Sequence, residues 1–329
     1  MKAWILDALD GIEKMRLGEL PDPKAGANEV VLRMKYAALN PADRYLAQAQ
    51  YPARPPLPHV LGRDGLGVVE QVGSDVTGHR VGDVRVVLRG EAGVTQRGLF
   101  AERVAVNSEW LVTPPAGWTE EQAASAPLVY VTAYQALTQW GELQNAVVLV
   151  TGASGGVGVA SIQMGSALGH SMIGLSRSSD KSKILLNQGA SACFQPQDEQ
   201  WRQMLYEFLG HRRIDLAIDN IGGPLLPQVI ETLAHSGRVS TVGMLAGPVP
   251  QFNTAKLFFR RLRIGGVAIG TYTNAESRTA WDQIVAALER TNRRPLVDHV
   301  YPFENLPDAF ARLAEGPMGK ILISGPGSA

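Results

Sequence analysis

The period of the hydrophobic positions changes once along this chain. From Met1 to about Trp118 the apolar residues come in short alternating or β-type runs, "EVVLRMKYAAL", "LGVVEQVG", "VRVVL" and "FAERVAV", broken by Gly and Pro. Strands at that spacing predict a compact β-rich domain, with a small barrel as its natural form. After "TPPAGW" the pattern turns helical in "EEQAASAPLVYVTAYQALTQWGEL", with Thr119 as the expected N-cap and acids in the first turn. Strand and helix units then alternate: "AVVLVTG" with "GVASIQMGSALG", "SMIGLS" with "KSKILLNQG", "ACFQ" with "QWRQMLYEFLG", "IDLAIDN" with "LLPQVIETLAHSG", then "RVSTVG" and "RIGGVAIG". Six apolar strands in that rhythm predict a doubly wound parallel sheet of the dinucleotide-binding type, an α/β fold. Beyond Gly270 come the amphipathic "AESRTAWDQIVAALERT" and a strand, helix, strand tail. A remnant of roughly 60 residues buries too little surface to stand alone, so it is expected to complete the first domain. The expected division is 1–118 with 271–329 for the β-rich domain and 119–270 for the nucleotide-binding domain. No internal repeat or low-complexity segment interrupts it.

Length supports two domains, because 329 residues exceed the roughly 250 to 300 at which a single core stops growing. Charge narrows the partners. Lys plus Arg and Asp plus Glu both number 31, which leaves no global field for nucleic acid or an anionic membrane. The one cysteine, Cys193, allows neither a disulfide framework nor a Cys-rich zinc lobe, and its "GASACF" setting reads as a small buried hydrophobe. No run approaches the ~18 apolar residues of a membrane span, so a cytoplasmic protein is expected.

The strongest chemical signal is "VVLVTGASGGVGVASIQMGSALG". A buried strand runs into Gly152, Gly155, Gly156 and Gly158, and then into a helix. Glycines there allow positive φ and close approach of a pyrophosphate, while amides at the helix start bind its charge. Ser154, Gly155, Gly156 and Val157 are the expected contacts. The second strand ends in Ser176-Arg177, with Lys181 close behind, where an acid would mark NAD and a base the 2′-phosphate of NADP. Hydroxyl and guanidinium favour NADPH. Asp180 is the objection, and it reads better as the cap of the next helix. The loop also fits the TGxxxGxG pattern of short-chain dehydrogenases, but that family needs a lysine four residues after a tyrosine, and none of the eight tyrosines has one.

From "EVVLRMKYAALNPAD" through "GASGGVG" to "GKILIS", the whole chain resembles the medium-chain dehydrogenase/reductases. The resemblance implies a GroES-like catalytic domain built from both chain ends, a Rossmann domain between them, and a substrate cleft at their junction. Where zinc alcohol dehydrogenases of that superfamily place three catalytic ligands, this chain has Asn40, Arg63 and, nearby, Leu128. An amide, a guanidinium and an alkyl group are not zinc ligands, so no metal is expected. The motifs "NPAD", "GRDG", "PLVYVTAYQAL" and "GASGGVG" are similar to the zinc-independent quinone oxidoreductase branch, which includes ζ-crystallin-like proteins. That branch implies an NADPH-dependent reductase of quinones or α,β-unsaturated carbonyls. Conjugation activates such substrates, and the pocket supplies orientation and hydrogen-bond donors.

Site candidates follow from the same resemblance. In "YPARPPLP", Tyr51 is similar to a tyrosine of 2-enoyl thioester reductases, and a phenol can donate to an enolate-like oxygen. Its other reading is packing against the loop prolines. Asn40 is a candidate for the nicotinamide or the substrate carbonyl. Thr132, Asn220, Gly243 and Lys320 resemble cofactor contacts, with Asn220 and Gly243 at strand ends where doubly wound sheets bind ligands. Arg63 and Phe258 are weaker pocket candidates, Arg63 and Asp64 otherwise reading as structural ions. The apolar and basic "KLFFRRLRIGG" resembles a segment that pairs across a dimer axis, so a homodimer is expected. Two other functions stay open: a 2-enoyl thioester reductase using Tyr51, and an NADPH-binding structural or sensing protein with little turnover.

Overall fold

The computed structural model describes residues 1–327. In chain order its elements open with β1 (Lys2–Ile5), β2 (Arg16–Glu19), β3 (Glu29–Ala38), α1 (Pro41–Ala47), β4 (Asp64–Val72), β5 (Val84–Val87), β6 (Arg103–Asn107), β7 (Leu111–Val112) and α2 (Glu120–Ser125). The middle holds α3 (Pro127–Thr138), β8 (Val147–Val150), α4 (Gly156–Ala167), β9 (Ser171–Leu175), α5 (Ser179–Asn187), β10 (Ala190–Phe194), α6 (Trp201–Leu209) and β11 (Ile214–Asp219). There follow α7 (Leu225–Thr232), β12 (Leu233–Thr241), α8 (Ala255–Phe259), β13 (Arg263–Gly266), α9 (Asn274–Arg290), β14 (Val297–Tyr301), α10 (Leu306–Glu315) and β15 (Lys320–Ser324).

The chain folds as two units. The first is Met1–Leu128, Tyr272–Arg278 and Pro295–Ala329; the second is Val129–Thr271 and Thr279–Arg294. Packing therefore puts α2 with the β-rich unit and most of α9 with the nucleotide-binding unit, a different partition from the sequence expectation at both places. In the first unit the sheet runs β14-β15-β3-β4-β5-β7, with β6 also on β3. The tail reaches this sheet through β15, where Leu322 faces Ala38 antiparallel. Its core gathers Ile5, Leu32, Leu61, Phe100 and Phe303, all nearly inaccessible. This is a GroES-like domain.

The second unit is a Rossmann fold. Its six parallel strands lie in the order β10-β9-β8-β11-β12-β13, so the direction of winding reverses between β8 and β11. All four residues of β8 are buried, as a strand covered on both faces requires. Three local expectations need correction. The long helix after Thr119 is two, because Pro127 has no N–H to give and restricts the residue before it; Thr119 does cap the first, in a reciprocal box with Gln122. Ser178, not Asp180, caps α5, its hydroxyl accepting from Lys181 N at 3.3 Å. The segment "LAHSG" opens β12 instead of ending a helix, with Ser236 at φ +61° absorbing an irregularity in its pairing with β11. Among the described residues no helix is long and apolar enough to cross a membrane.

Candidate functional site

In the Rossmann unit, the turn from β8 into α4 is shaped by backbone contacts that only glycine permits. Gly152 has φ +57°, and a Cβ on Gly158 would lie 2.4 Å from Gly152 O. Gly155 differs, since the nearest atom to a Cβ there is 3.5 Å away. Gly158 thus closes the turn on itself, while Gly155 leaves its outer side clear for a ligand. Gly155 caps α4, so the amides of Gly156 and Val157 start the helix without an intrahelical acceptor. Ala153 N donates to Leu175 O at 3.0 Å and ties the turn to the end of β9.

A second lock spans the reversal point. Thr151 Oγ1 donates to Asp219 Oδ1 at 2.7 Å and accepts from Asn220 N at 2.9 Å. The same Asp219 carboxylate accepts from the amides of Ile221 and Gly222. Asn220 Nδ2 donates to Thr151 O at 2.8 Å, which leaves Asn220 Oδ1 buried with no partner. Gly243 fits against the same residue, a Cβ there lying 2.4 Å from Asn220 O. A buried orphan acceptor and a glycine-cleared turn, both at the carboxyl ends of strands at a reversal point, are the features a dinucleotide needs. They fit the cofactor.

At the end of β9, Ser176 is buried and shares long 3.4 Å contacts with Ser178 O and N, whereas Arg177 is exposed. Asp180 bonds Lys183 Nζ at 3.0 Å on the surface. Lys181 is half-buried in the first turn of α5, and Ser154 and Val157 are half-buried in the glycine turn. Thr132 is buried within α3. Phe258 stands out from α8 at 65% exposure, beside Phe259. Burial pushes the Cys193 thiol up to about 11, as befits an inert packing residue.

In the GroES-like unit four distant segments meet in one buried polar cluster. Asn40, Asp43, Asp64 and Lys320 are each at most 5% exposed. Lys320 Nζ donates to Leu39 O at 2.8 Å and to Asn40 Oδ1 at 2.7 Å, and lies 3.6 Å from Asp64 Oδ2. Asn40 Nδ2 donates to Asp64 Oδ1 at 2.7 Å, while Asn40 N donates to Asp43 Oδ2 at 2.8 Å. The Leu128 amide also bonds the Asp64 carboxylate. Two of the three positions matched to zinc ligands, Asn40 and Leu128, thus bond Asp64, and the cation beside it is the Lys320 ammonium. Among the described residues no group of three His, Cys, Asp or Glu could hold a metal ion.

Burial dominates the electrostatics of this cluster. It raises Asp64 and lowers Lys320, each toward its neutral form, against their mutual attraction. It pushes Asp43 up to about 7, although the Arg63 charge and the Asn40 amide pull the other way. Arg63 does not bond its neighbour Asp64: its Nη1 donates to Tyr51 Oη at 3.2 Å. Tyr51 itself is half-buried against the domain core. The structure thus brings Asn40, Lys320, Arg63 and Tyr51 into one unit, and Thr132, the glycine turn, Ser176, Asn220 and Gly243 into the other. Sequence reasoning missed Asp43, Thr151 and Asp219. The capping spacing of "NPAD" could have flagged Asp43; Thr151 and Asp219 carry no signal until the two strands are paired.

Residues 26–116 match the family model described as alcohol dehydrogenase GroES-like domain, and residues 156–288 the one described as zinc-binding dehydrogenase. The quinone oxidoreductase of Sus scrofa is 28% identical over 319 residues, covering 95% of this chain and 94% of that protein. The acryloyl-coenzyme A reductase of Sulfurisphaera tokodaii is 27% identical over 332 residues, covering 94% and 96%. Among solved structures, an NAD-dependent alcohol dehydrogenase superposes with a TM-score of 0.90 at 29% identity, covering 98% of this chain and 99% of that one. With a GroES-like unit, a Rossmann unit and relatives aligned along nearly its whole length, the chain belongs to the medium-chain dehydrogenase/reductase superfamily and is an NAD(P)-dependent reductase.

Proposed function

We propose that the protein uses NADPH to deliver hydride to a quinone or an α,β-unsaturated carbonyl, without zinc. The observation that carries this reading is the buried Lys320–Asn40–Asp64 cluster, which has an amide at one matched ligand position and ties it to an ammonium and a carboxylate, while Arg63 and Leu128 stand at the other two. A site of that composition has no Lewis acid to acidify an alcohol, and it suits an acceptor that conjugation has already activated. NADPH, when bound, supplies the hydride. Ser154, Gly155, Gly156, Val157, Thr132, Asn220 and Gly243 are the residues assigned to hold it. Ser176, Arg177 and Lys181 are assigned to its 2′-phosphate, and Asp180, the acid nearest to them in the sequence, pairs with Lys183 on the surface. Steady NADPH oxidation with a panel of quinones, enals and enones is the test. Tight NADPH binding by fluorescence with no turnover on that panel would favour a sensing or structural protein instead.

A second reading is 2-enoyl thioester reduction. It is favoured by the "YPARPPLP" setting of Tyr51 and by the acryloyl-coenzyme A reductase among the relatives. It requires enoyl thioesters to outrun quinones in kcat/KM and Tyr51→Phe to lose most of that rate. As to assembly, β13 is the end strand of its sheet, and Phe258, Phe259 and Ile264 are exposed around it. An open edge beside apolar side chains supports a homodimer, which sedimentation velocity would read directly.

A further inference from the structure

The contact between Arg63 and Tyr51 fixes which way the phenol can act. A guanidinium carries only donors, so at the 3.2 Å contact Tyr51 Oη is the acceptor. Its single O–H proton must then point elsewhere, and the described residues give it no acceptor. The guanidinium carbon also lies 5.3 Å from the ring centroid, so the charge sits close against the phenol.

Arg63 is aimed by its backbone and its neighbours. Gly62 has φ +98°, and a Cβ there would lie 2.9 Å from Phe100 N. Hydrogen bonds from Gly98, Leu99 and Phe100 to Val60, Gly62 and Leu61 hold the segment that delivers the side chain. Asp43 and Asp64 both feel the Arg63 charge, yet neither accepts a hydrogen bond from it, and Arg63 Nε is buried without a partner. No carboxylate therefore competes for the guanidinium by hydrogen bonding, and its Nη1 is left to engage Tyr51.

We propose that Arg63 is a positioning residue for Tyr51: it occupies the acceptor side of the phenol, so that the O–H is presented to the carbonyl oxygen of the acceptor. This rests on the reductase reading. A reduced nicotinamide dinucleotide, when bound, would supply a hydride, that is two electrons and a proton, to the electrophilic carbon and would itself be oxidised. The acceptor gains that C–H bond, and negative charge moves to its oxygen. The Tyr51 O–H bond then breaks as an O–H bond forms on that oxygen. The phenolate left behind lies against the guanidinium until water returns a proton. The acceptors so selected carry a carbonyl oxygen conjugated to the carbon that receives hydride.

The test combines Arg63→Met, Arg63→Lys and Tyr51→Phe in the full-length protein with tyrosine labelled at 13Cζ. Arg63→Met should lower kcat by about 10- to 100-fold with a smaller change in KM, and by less than about twofold when Tyr51→Phe is already in place. Arg63→Lys, which keeps a charged donor, should retain more of kcat than Arg63→Met. The Tyr51 resonance, assigned by its loss in Tyr51→Phe, should shift in Arg63→Met while the other tyrosine resonances stay in place. Equal losses with and without the Tyr51→Phe substitution, equal losses in the Met and Lys variants, or an unmoved Tyr51 resonance would each overturn the proposal. The resonance needs no turnover. A wild-type protein inactive on quinones and enones would therefore remove the reductase reading without obscuring the pairing.

Discussion

The two polar regions of this molecule are made in opposite ways. The glycine turn of the Rossmann unit draws on consecutive residues and presents backbone amides, with no charged side chain in the turn from Thr151 to Gly158. The cluster of the GroES-like unit draws on residues 40, 43, 63, 64 and 320, and its two acids and its lysine are buried together. A turn of backbone dipoles is satisfied locally and waits for an anion, whereas buried charges must satisfy one another across the fold. Damage to the ligand-facing side of the first should cost binding more than stability, and damage to the second the reverse.

The largest expected effect tests the second half of that contrast. Lys320→Met leaves Asp64 with its charge uncompensated and removes the donor to Leu39 O and Asn40 Oδ1. Breaking a buried pair in this way costs about 3–5 kcal/mol, read from urea denaturation. Adding Asp64→Asn should recover much of the loss, because the orphaned charge goes with it. No recovery would mean that Lys320 stabilises by packing and the cluster is not held by charge.

The first half is tested by two glycines that look alike in the sequence. Gly158→Ala forces a methyl group to 2.4 Å from Gly152 O, so the turn must deform; a loss of about 1–3 kcal/mol and at least a roughly tenfold weaker NADPH affinity are expected. Gly155→Ala has room in the fold and should leave thermal stability nearly unchanged while NADPH binding weakens. Fluorescence titration and thermal melts separate the two. If both variants lose stability alike, the turn is not divided into a structural and a ligand-facing glycine.

What could be read in advance follows the same division. The Rossmann unit was legible because its signals are local: alternation of strand and helix, four glycines in one turn, and an acid or base a fixed distance on. The amide of Asn40 and the guanidinium of Arg63 could be read in the same way, one residue at a time. Lys320 was assigned to the cofactor from its place in "GKILIS", but its ammonium lies on Leu39 and Asn40, a partnership that exists only once β15 pairs with β3. Arg63 and Asp64 are sequence neighbours that take different partners, because successive residues at the start of a strand point to opposite faces. Pro127 breaking the long helix was in the sequence and was outweighed by the helical period around it.

Cofactor choice is the next smaller effect, and it lies wholly on the local side. Arg177 is exposed and pairs with no carboxylate among the described residues, so Arg177→Ala should disturb nothing else. NADPH affinity should fall about tenfold, with NADH affinity changed less than about twofold, as the loss of one charge-assisted contact to a 2′-phosphate implies. Equal weakening of both would move the phosphate contact away from this position.

The finest discrimination is a pH slope. Asp43 has its folded value pushed to about 7 from an ordinary 3.8, so between those limits the native protein holds a proton that the unfolded chain has released. Stability from this group is therefore largest below the unfolded value and is lost as pH rises through about 7. His59 works oppositely: burial lowers it from 6.5 to about 4, so the unfolded chain holds the extra proton there and stability rises with pH across that window. The two contributions nearly cancel in the wild type from about pH 4 to 6.5. Asp43→Asn keeps an oxygen to accept from Asn40 N but removes the titration. Its unfolding free energy should climb with pH more steeply than that of the wild type, by about 1.4 kcal/mol per unit for one proton, in urea melts at about pH 4.5, 5.5 and 6.5. Parallel slopes would show that Asp43 stays ionised in the folded protein, held by Arg63 and the Asn40 amide more strongly than burial opposes it.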